Sequence, residues 1–146
     1  MAELTVRPLS PDDRAAWEPL WDGYLAFYRA ELDAATTDDV FARLAGERDG
    51  MFGLLAIAAD TAVGLAHVVV HPSTWTTGRY AYLEDLFVAK TGRGTGAGRA
   101  LIEAVYAAAD ARDAGHVYWH TQEYNAAARS LYDEVAQRTS FVVYER

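Results

Sequence analysis

The 146-residue chain contains no cysteine, and that absence removes several chemistries at once. Without thiols there is no disulfide framework, no thiolate nucleophile and no cysteine-ligated zinc or iron–sulfur centre. Basic charge is scarce too: 13 Lys and Arg stand against 21 Asp and Glu, a formal charge of -8. Nucleic-acid binding relies on clustered cations that neutralise phosphate, so this balance argues against DNA or RNA as the partner and suits a cationic ligand better. No apolar run approaches the roughly 18 residues of a membrane span, and the opening MAELTVRPLS has neither the basic stretch nor the apolar core of a signal peptide. The expectation is a soluble, cytoplasmic protein with no membrane partner. Repeats, low-complexity tracts and linkers are also missing, so with 51% hydrophobic residues the chain reads as one domain over residues 1–146.

What is present alternates between helix and strand signals. Leu4 to Arg7 reads as a short strand, and Ser10-Pro11-Asp12-Asp13 as the start of a helix: a capping side chain, a proline at the first position and acids in the first turn. Trp17, Leu20, Trp21, Tyr24, Leu25 and Tyr28 repeat at helical spacing, with Pro19 expected to kink or split the helix. Thr37-Asp38-Asp39 opens a second short helix through Leu44. Phe52 to Ala58 and Ala62 to Val70 form a hairpin about Asp60, and Tyr80 to Val88 a further strand. Ala97, Leu101, Val105 and Ala108 share one face of a helix that runs to about Arg112 and ends near Gly115. Val117 to Thr121 reads as a strand, Asn125 as the cap of a helix carrying Ala128, Leu131 and Val135, and Phe141 to Tyr144 as a last strand. The resulting class is α/β: a mixed central sheet with antiparallel N-terminal strands, a late β-α-β crossover and flanking helices.

Glycine is concentrated in RGTGAGRALIEA, Arg93 to Ala104, where three fall within six residues at the start of a helix. A helix N-terminus leaves backbone N–H groups unpaired and carries partial positive charge, and glycines before it let the backbone close around an anion such as phosphate. Charge agrees locally: Leu86 to Ile102 carries Lys90, Arg93 and Arg99 with no acid, whereas Met1 to Gly50 carries 11 acids against 5 bases. The P-loop pattern G-x-x-x-x-G-K-[ST] is absent. Gly92-x-Gly94-x-x-Ala97 fits a loose dinucleotide fingerprint, but the preceding hairpin does not suit a fold of successive parallel β-α-β units. The remaining pattern is R-x-x-G-x-G over Arg93 to Gly98. Taken alone it also fits a glycine turn kept for packing.

Three landmarks in order give the chain a wider resemblance. Tyr82-Leu83-Glu84-Asp85-Leu86-Phe87-Val88, then Arg93 to Gly98, then Asn125 with Tyr132 seven residues on together resemble the GNAT acetyltransferases, most closely the spermidine/spermine and thialysine branch. The resemblance covers nearly the whole chain and departs from the family at AQRTSF after the tyrosine helix and at Gly92. It implies a GNAT fold whose fourth and fifth strands splay apart, with acetyl-CoA as co-substrate. Leu86, Phe87 and Val88 would face the pantetheine arm, and Arg93, Gly94, Thr95, Gly96, Ala97, Gly98 and Arg99 the pyrophosphate. For Asn125 two readings stand together, a helix cap and a contact to the pantetheine region. The implied partner is a small-molecule amine, the implied assembly a homodimer.

Acetyl transfer to an amine needs two proton movements. A primary amine of ordinary pKa near 10.4 is almost wholly protonated at neutral pH. The resemblance assigns Glu84 to receive that proton, against the plainer reading of a solvated strand carboxylate. Asp85 is expected on the opposite strand face. Tyr132 is implied as proton donor to the departing thiolate, against a packing tyrosine beside Leu131. Trp75 is open between a substrate wall and a loop anchor. Tyr28, with Tyr24, reads most simply as core or interface; with Glu31 and Asp33 beyond, Tyr28 is also a candidate substrate contact. His67/His71 and His116/His120 are four apart, which on strands separates each pair by about 13 Å, too far to share one metal. The implied activity is direct acetylation of a small cationic amine, a polyamine or lysine-like compound. Acetylation of protein lysines or N-termini, and a non-catalytic CoA-binding module, stand as alternatives.

Overall fold

The computed structural model describes residues 3–146; Met1 and Ala2, the first residues of the stretch read for a leader, lie outside them. Leu4–Pro8 forms β1. Ser10 then accepts a hydrogen bond from the Asp12 amide, while Asp13 returns one from the Ser10 amide at 2.7 Å. This reciprocal cap closes a 3-10 turn, Pro11–Asp13, and Arg7 grips the Asp13 carboxylate through two bonds of 2.7 and 2.8 Å.

Helix α1, Arg14–Phe27, follows directly. It runs through Pro19 without interruption, so the helix is not split there. Proline there forfeits the bond to the Ala15 carbonyl, and burial of Trp17, Leu20 and Trp21 on the same helix holds it together. Helix α2, Ala34–Ala45, starts three residues before the expected Thr37 because Asp33 caps it, accepting from the Thr36 amide at 2.7 Å.

Strands β2, Met51–Ala58, β3, Thr61–Pro72, and β4, Arg79–Val88, follow as an antiparallel meander. Helix α3, Ala97–Asp110, then crosses to β5, His116–Tyr118, and α4 spans Ala126–Val135. The five strands lie in chain order, antiparallel except for the parallel β4–β5 pair. Phe52, Leu54, Ala56, Ala66, Val68, Val70, Ala81 and Leu83 pack against α3 through Ala97, Leu101, Ile102, Val105 and Ala109. Leu55 and Leu65 face Trp17, Leu20, Trp21, Phe41 and Leu44 on the other side. Period-two alternation along β2 and β3 thus separates two cores. Among the described residues no helix is long and apolar enough to cross a membrane.

Two expected strands differ. β5 ends at Tyr118 rather than Thr121. Phe141 to Tyr144 form no strand, and all four side chains are exposed. A β-prone segment is held by a ladder and a half-buried face, and this one has neither within the chain.

Candidate active site

The site opens where β4 loses a neighbour. Pairing with β5 covers only Tyr80 to Tyr82, so Leu83 to Val88 have no β5 partner and the two strands part as expected. The cleft continues into a cavity of about 750 Å³. Its walls come from α1, the open half of β4, the glycine loop, the segment after β5, and α4.

A bulge shapes the start of this opening. His67 pairs with Asp85 and Val68 with Leu83, which leaves Glu84 as the extra residue. Such a bulge upsets the alternation of side chains, so the expectation that Asp85 turns away from Glu84 fails. The charges of Asp85 and of Arg43 on α2 act on Glu84. Partial burial, then the charge of Asp85, raises the Glu84 pKa above its ordinary value, with Arg43 opposing. Glu84 lines the cavity, and among the described residues that do so it is the one carboxylate.

The loop after β4 has the features of an anion cradle. Gly94 and Gly96 have φ of +79° and +84°, a backbone that side chains rarely adopt. A Cβ on either would project into open space, so room remains for a ligand against the backbone. The amides of Gly96, Ala97, Gly98 and Arg99 donate to no backbone carbonyl, leaving the first turn of α3 free to bind an anion. Gly92 has a packing reason: a Cβ there would lie 2.7 Å from that of Val63, the extra residue at the β2–β3 register shift. These features fit the pyrophosphate of CoA. Arg99 is ion-paired with Glu134 of α4. Thr95 is bonded back to the Gly92 carbonyl and is absent from the cavity wall.

The far wall is α4. Tyr132 lines the cavity and meets Trp119 edge-on with ring centroids 5.4 Å apart. Burial, followed by its neighbour Tyr28, raises the Tyr132 pKa above that of an ordinary phenol, so its proton is retained at neutral pH. The Tyr106 hydroxyl donates to the Val135 carbonyl at 2.9 Å and ties the end of α4 to α3. Asn125 stands at the N-cap position, but its side chain makes no capping bond. Its Nδ2 donates to Thr121 Oγ1 at 3.4 Å instead, so Asn125 holds the N-cap through its backbone alone, its carbonyl accepting from the Arg129 amide at 3.0 Å, and its side chain remains on the cavity wall.

Thus the cavity brings together Glu84, Leu86, Phe87, Val88, Arg93, Gly94, Gly96, Ala97, Gly98, Arg99, Asn125, Tyr132 and Tyr28. It does not include Trp75, which is 87% exposed in the β3–β4 connection, so the substrate-wall reading fails within this chain. Tyr24, Phe27, Trp119, His120 and Thr121 also line it. Of these, Tyr24 had a signal in sequence, four residues from Tyr28 on the same face of α1. The segment after β5 had none, because its course depends on where pairing stops. Of the acids beyond α1, Asp33 caps α2. Among the described residues no three His, Asp or Glu side chains gather as a metal site. His67 is buried, and His71 accepts from the Tyr118 hydroxyl at 2.6 Å.

An anion cradle beside a split parallel strand pair, with a carboxylate and a half-buried phenol on one cavity, fits an acyltransferase. The model of the acetyltransferase (GNAT) family matches residues 17–136, and the chain belongs to that family. It is an acetyl-CoA-dependent N-acetyltransferase. Over 145 residues it is 36% identical to the D-amino-acid N-acetyltransferase HPA3 of Saccharomyces cerevisiae, covering 98% of this chain and 90% of that one. It is 29% identical to the N-acetyltransferase YhfO of Bacillus subtilis, covering 97% and 95%. The aminoglycoside N-acetyltransferase AAC(6')-Iy in complex with CoA shares the fold, with a TM-score of 0.84, 18% identity, and coverage of 100% and 95%.

Proposed function

We propose that this single-domain enzyme transfers the acetyl group of acetyl-CoA directly to a primary amine of a small cationic molecule, a polyamine or lysine-like amine. The observation that carries the substrate class is Glu84, the one carboxylate on the cavity wall. The loop from Arg93 to Arg99 holds the pyrophosphate with its free amides, and Leu86 to Val88, paired with β3 on one side and without a β5 partner on the other, offer that open edge to the pantetheine arm. Asn125 adds a polar contact and Tyr28 an aromatic one to the amine. Glu84 draws in the ammonium and takes its proton. A carboxylate raised by burial is a better acceptor than a solvated one. The amine lone pair then attacks the acetyl carbon, the carbon–sulfur bond breaks, and Tyr132 protonates the departing thiolate. Because the Tyr132 phenol is a weaker acid than usual, it donates only as negative charge develops on sulfur.

A second reading is supported by the 36%-identical relative named for D-amino acids: the acceptor is then the α-amino group of an amino acid. A panel of spermidine, D- and L-lysine, D-alanine and D-glutamate separates the two. Highest kcat/KM for spermidine or either lysine supports the cationic reading. Equal turnover of the three D-amino acids with none of spermidine supports the other. A homodimer fits the exposed Phe141 to Tyr144 and the edge of β5 that has no strand partner.

A further inference from the structure

Behind the cavity lies a buried hydrogen-bonded chain that the reaction above leaves unused. Trp17 is fully buried and His67 is 3% exposed. The indole Nε1 donates to His67 Nε2 at 3.0 Å. An indole N–H is a donor only, so Nε2 must accept, and the ring proton lies on Nδ1. That nitrogen stands 2.9 Å from Asp85 Oδ2 and donates to it. The direction of the whole chain follows from its first member.

Asp85 passes that direction toward the cavity. Its side chain is 16% exposed and absent from the cavity wall, whereas Tyr24, on whose phenol its charge acts, lines that wall. Burial, then the charge of Asp85, keeps the Tyr24 phenol protonated far above its ordinary range. A negative carboxylate attracts the positive end of an O–H dipole, so the phenol proton is drawn toward Asp85 and the oxygen lone pairs are left for the cavity. Trp21 stacks on the Tyr24 ring at 5.4 Å, and Tyr28 and Phe87 lie at 4.9 and 6.2 Å. These neighbours hold the ring in place.

We propose that Tyr24 is a substrate-binding residue whose hydroxyl oxygen accepts an N–H of the acceptor amine, and that the buried Trp17–His67–Asp85 chain sets that polarity. The proposal rests on the amine-acetylation reading and deepens it. A primary ammonium offers three N–H donors; the bulge carboxylate of Glu84 receives one and Tyr24 another. Trp17, His67 and Asp85 are positioning residues, since none touches the amine.

The test is steady-state kinetics with acetyl-CoA and the better of spermidine and D-lysine, on the full chain and on Tyr24→Phe, His67→Leu and His67→Asn. Tyr24→Phe should raise the amine KM about tenfold, the effect of one hydrogen bond to a charged group, and leave the acetyl-CoA KM within about twofold. His67→Leu should raise the amine KM similarly. His67→Asn retains an N–H that can donate to Asp85 and should recover part of the loss. Should His67→Leu fail to fold, Tyr24→Phe and His67→Asn decide. An unchanged amine KM in Tyr24→Phe overturns the proposal, as does an equal rise in both KM values. Failure of the parent protein to acetylate either amine would instead remove the cationic-amine reading beneath it.

Discussion

At the scale of single residues, position and environment decide what Glu84 and Gly96 do. A protonated carboxyl cannot take a proton, so the amine-acetylation rate should fall as pH drops through the raised Glu84 pKa. The acid limb of kcat/KM should therefore lie above the ordinary carboxylate value of about 4.3. Glu84→Gln should lower kcat/KM for the amine by about 10²-fold and flatten that limb, read from a pH profile. Gly96→Val carries backbone strain at φ +84° and fills the open cradle. It should shrink the thermal shift produced by acetyl-CoA, measured by differential scanning fluorimetry; an undiminished shift would remove the cradle assignment. Tyr132 and the glycine loop were legible in the sequence because their spacing to other landmarks survives without coordinates. The shared side of Glu84 and Asp85 was not. An extra residue in one strand leaves no mark on a two-residue alternation, and only the β3 register reveals it. Trp75 stayed open in the sequence for a related reason: a loop aromatic goes where its hairpin takes it, and this one takes it into solvent.

At the scale of elements, the start of α1 is secured by a network the sequence showed in part. Ser10-Pro11-Asp12-Asp13 announced the cap, but the grip of Arg7 on Asp13 crosses from β1 and needs the fold. Arg7 first, with the Ser10 amide, holds Asp13 below the usual carboxylate range despite burial. A lowered folded pKa contributes stability above the ordinary carboxylate range, and that contribution is lost as pH falls through the folded value. Asp13→Ala should therefore destabilise the protein by about 1–2 kcal/mol at neutral pH, and by less in acid, as read from urea melts at both pH values. The other end of the chain shows where local pattern fails. Phe141 to Tyr144 have strand-forming side chains, yet a strand also needs a partner edge. If a second copy supplies one, removing residues 141–146 should convert a dimer to a monomer by light scattering, with kcat/KM changed by less than about threefold. A parent protein that is monomeric throughout would exclude this arrangement.

For the molecule as a whole, the order of elements as far as α4 was expected from the alternation of periods, and the parting of β4 from β5 from the resemblance that the three landmarks carry; the division of the interior into two cores was not, because apolar content alone does not say which face of a strand each side chain takes. Charge also acts at this scale: the first fifty residues carry eleven acids against five bases, and among the described residues Glu84 is the one carboxylate on the cavity wall. Long-range attraction of this kind is screened by salt, so the KM of a cationic amine should rise with ionic strength while that of a neutral amine stays nearly constant. The most direct test of the account is amine-dependent release of thiol from acetyl-CoA, followed together with the acetylated product by mass spectrometry, for the parent protein and Tyr132→Phe. The account predicts one acetylated amine per thiol, with kcat reduced by about 10²-fold or more in Tyr132→Phe and the acetyl-CoA KM held within a few-fold. Thiol release at an equal rate in both proteins, or release without acetylated amine, would contradict it.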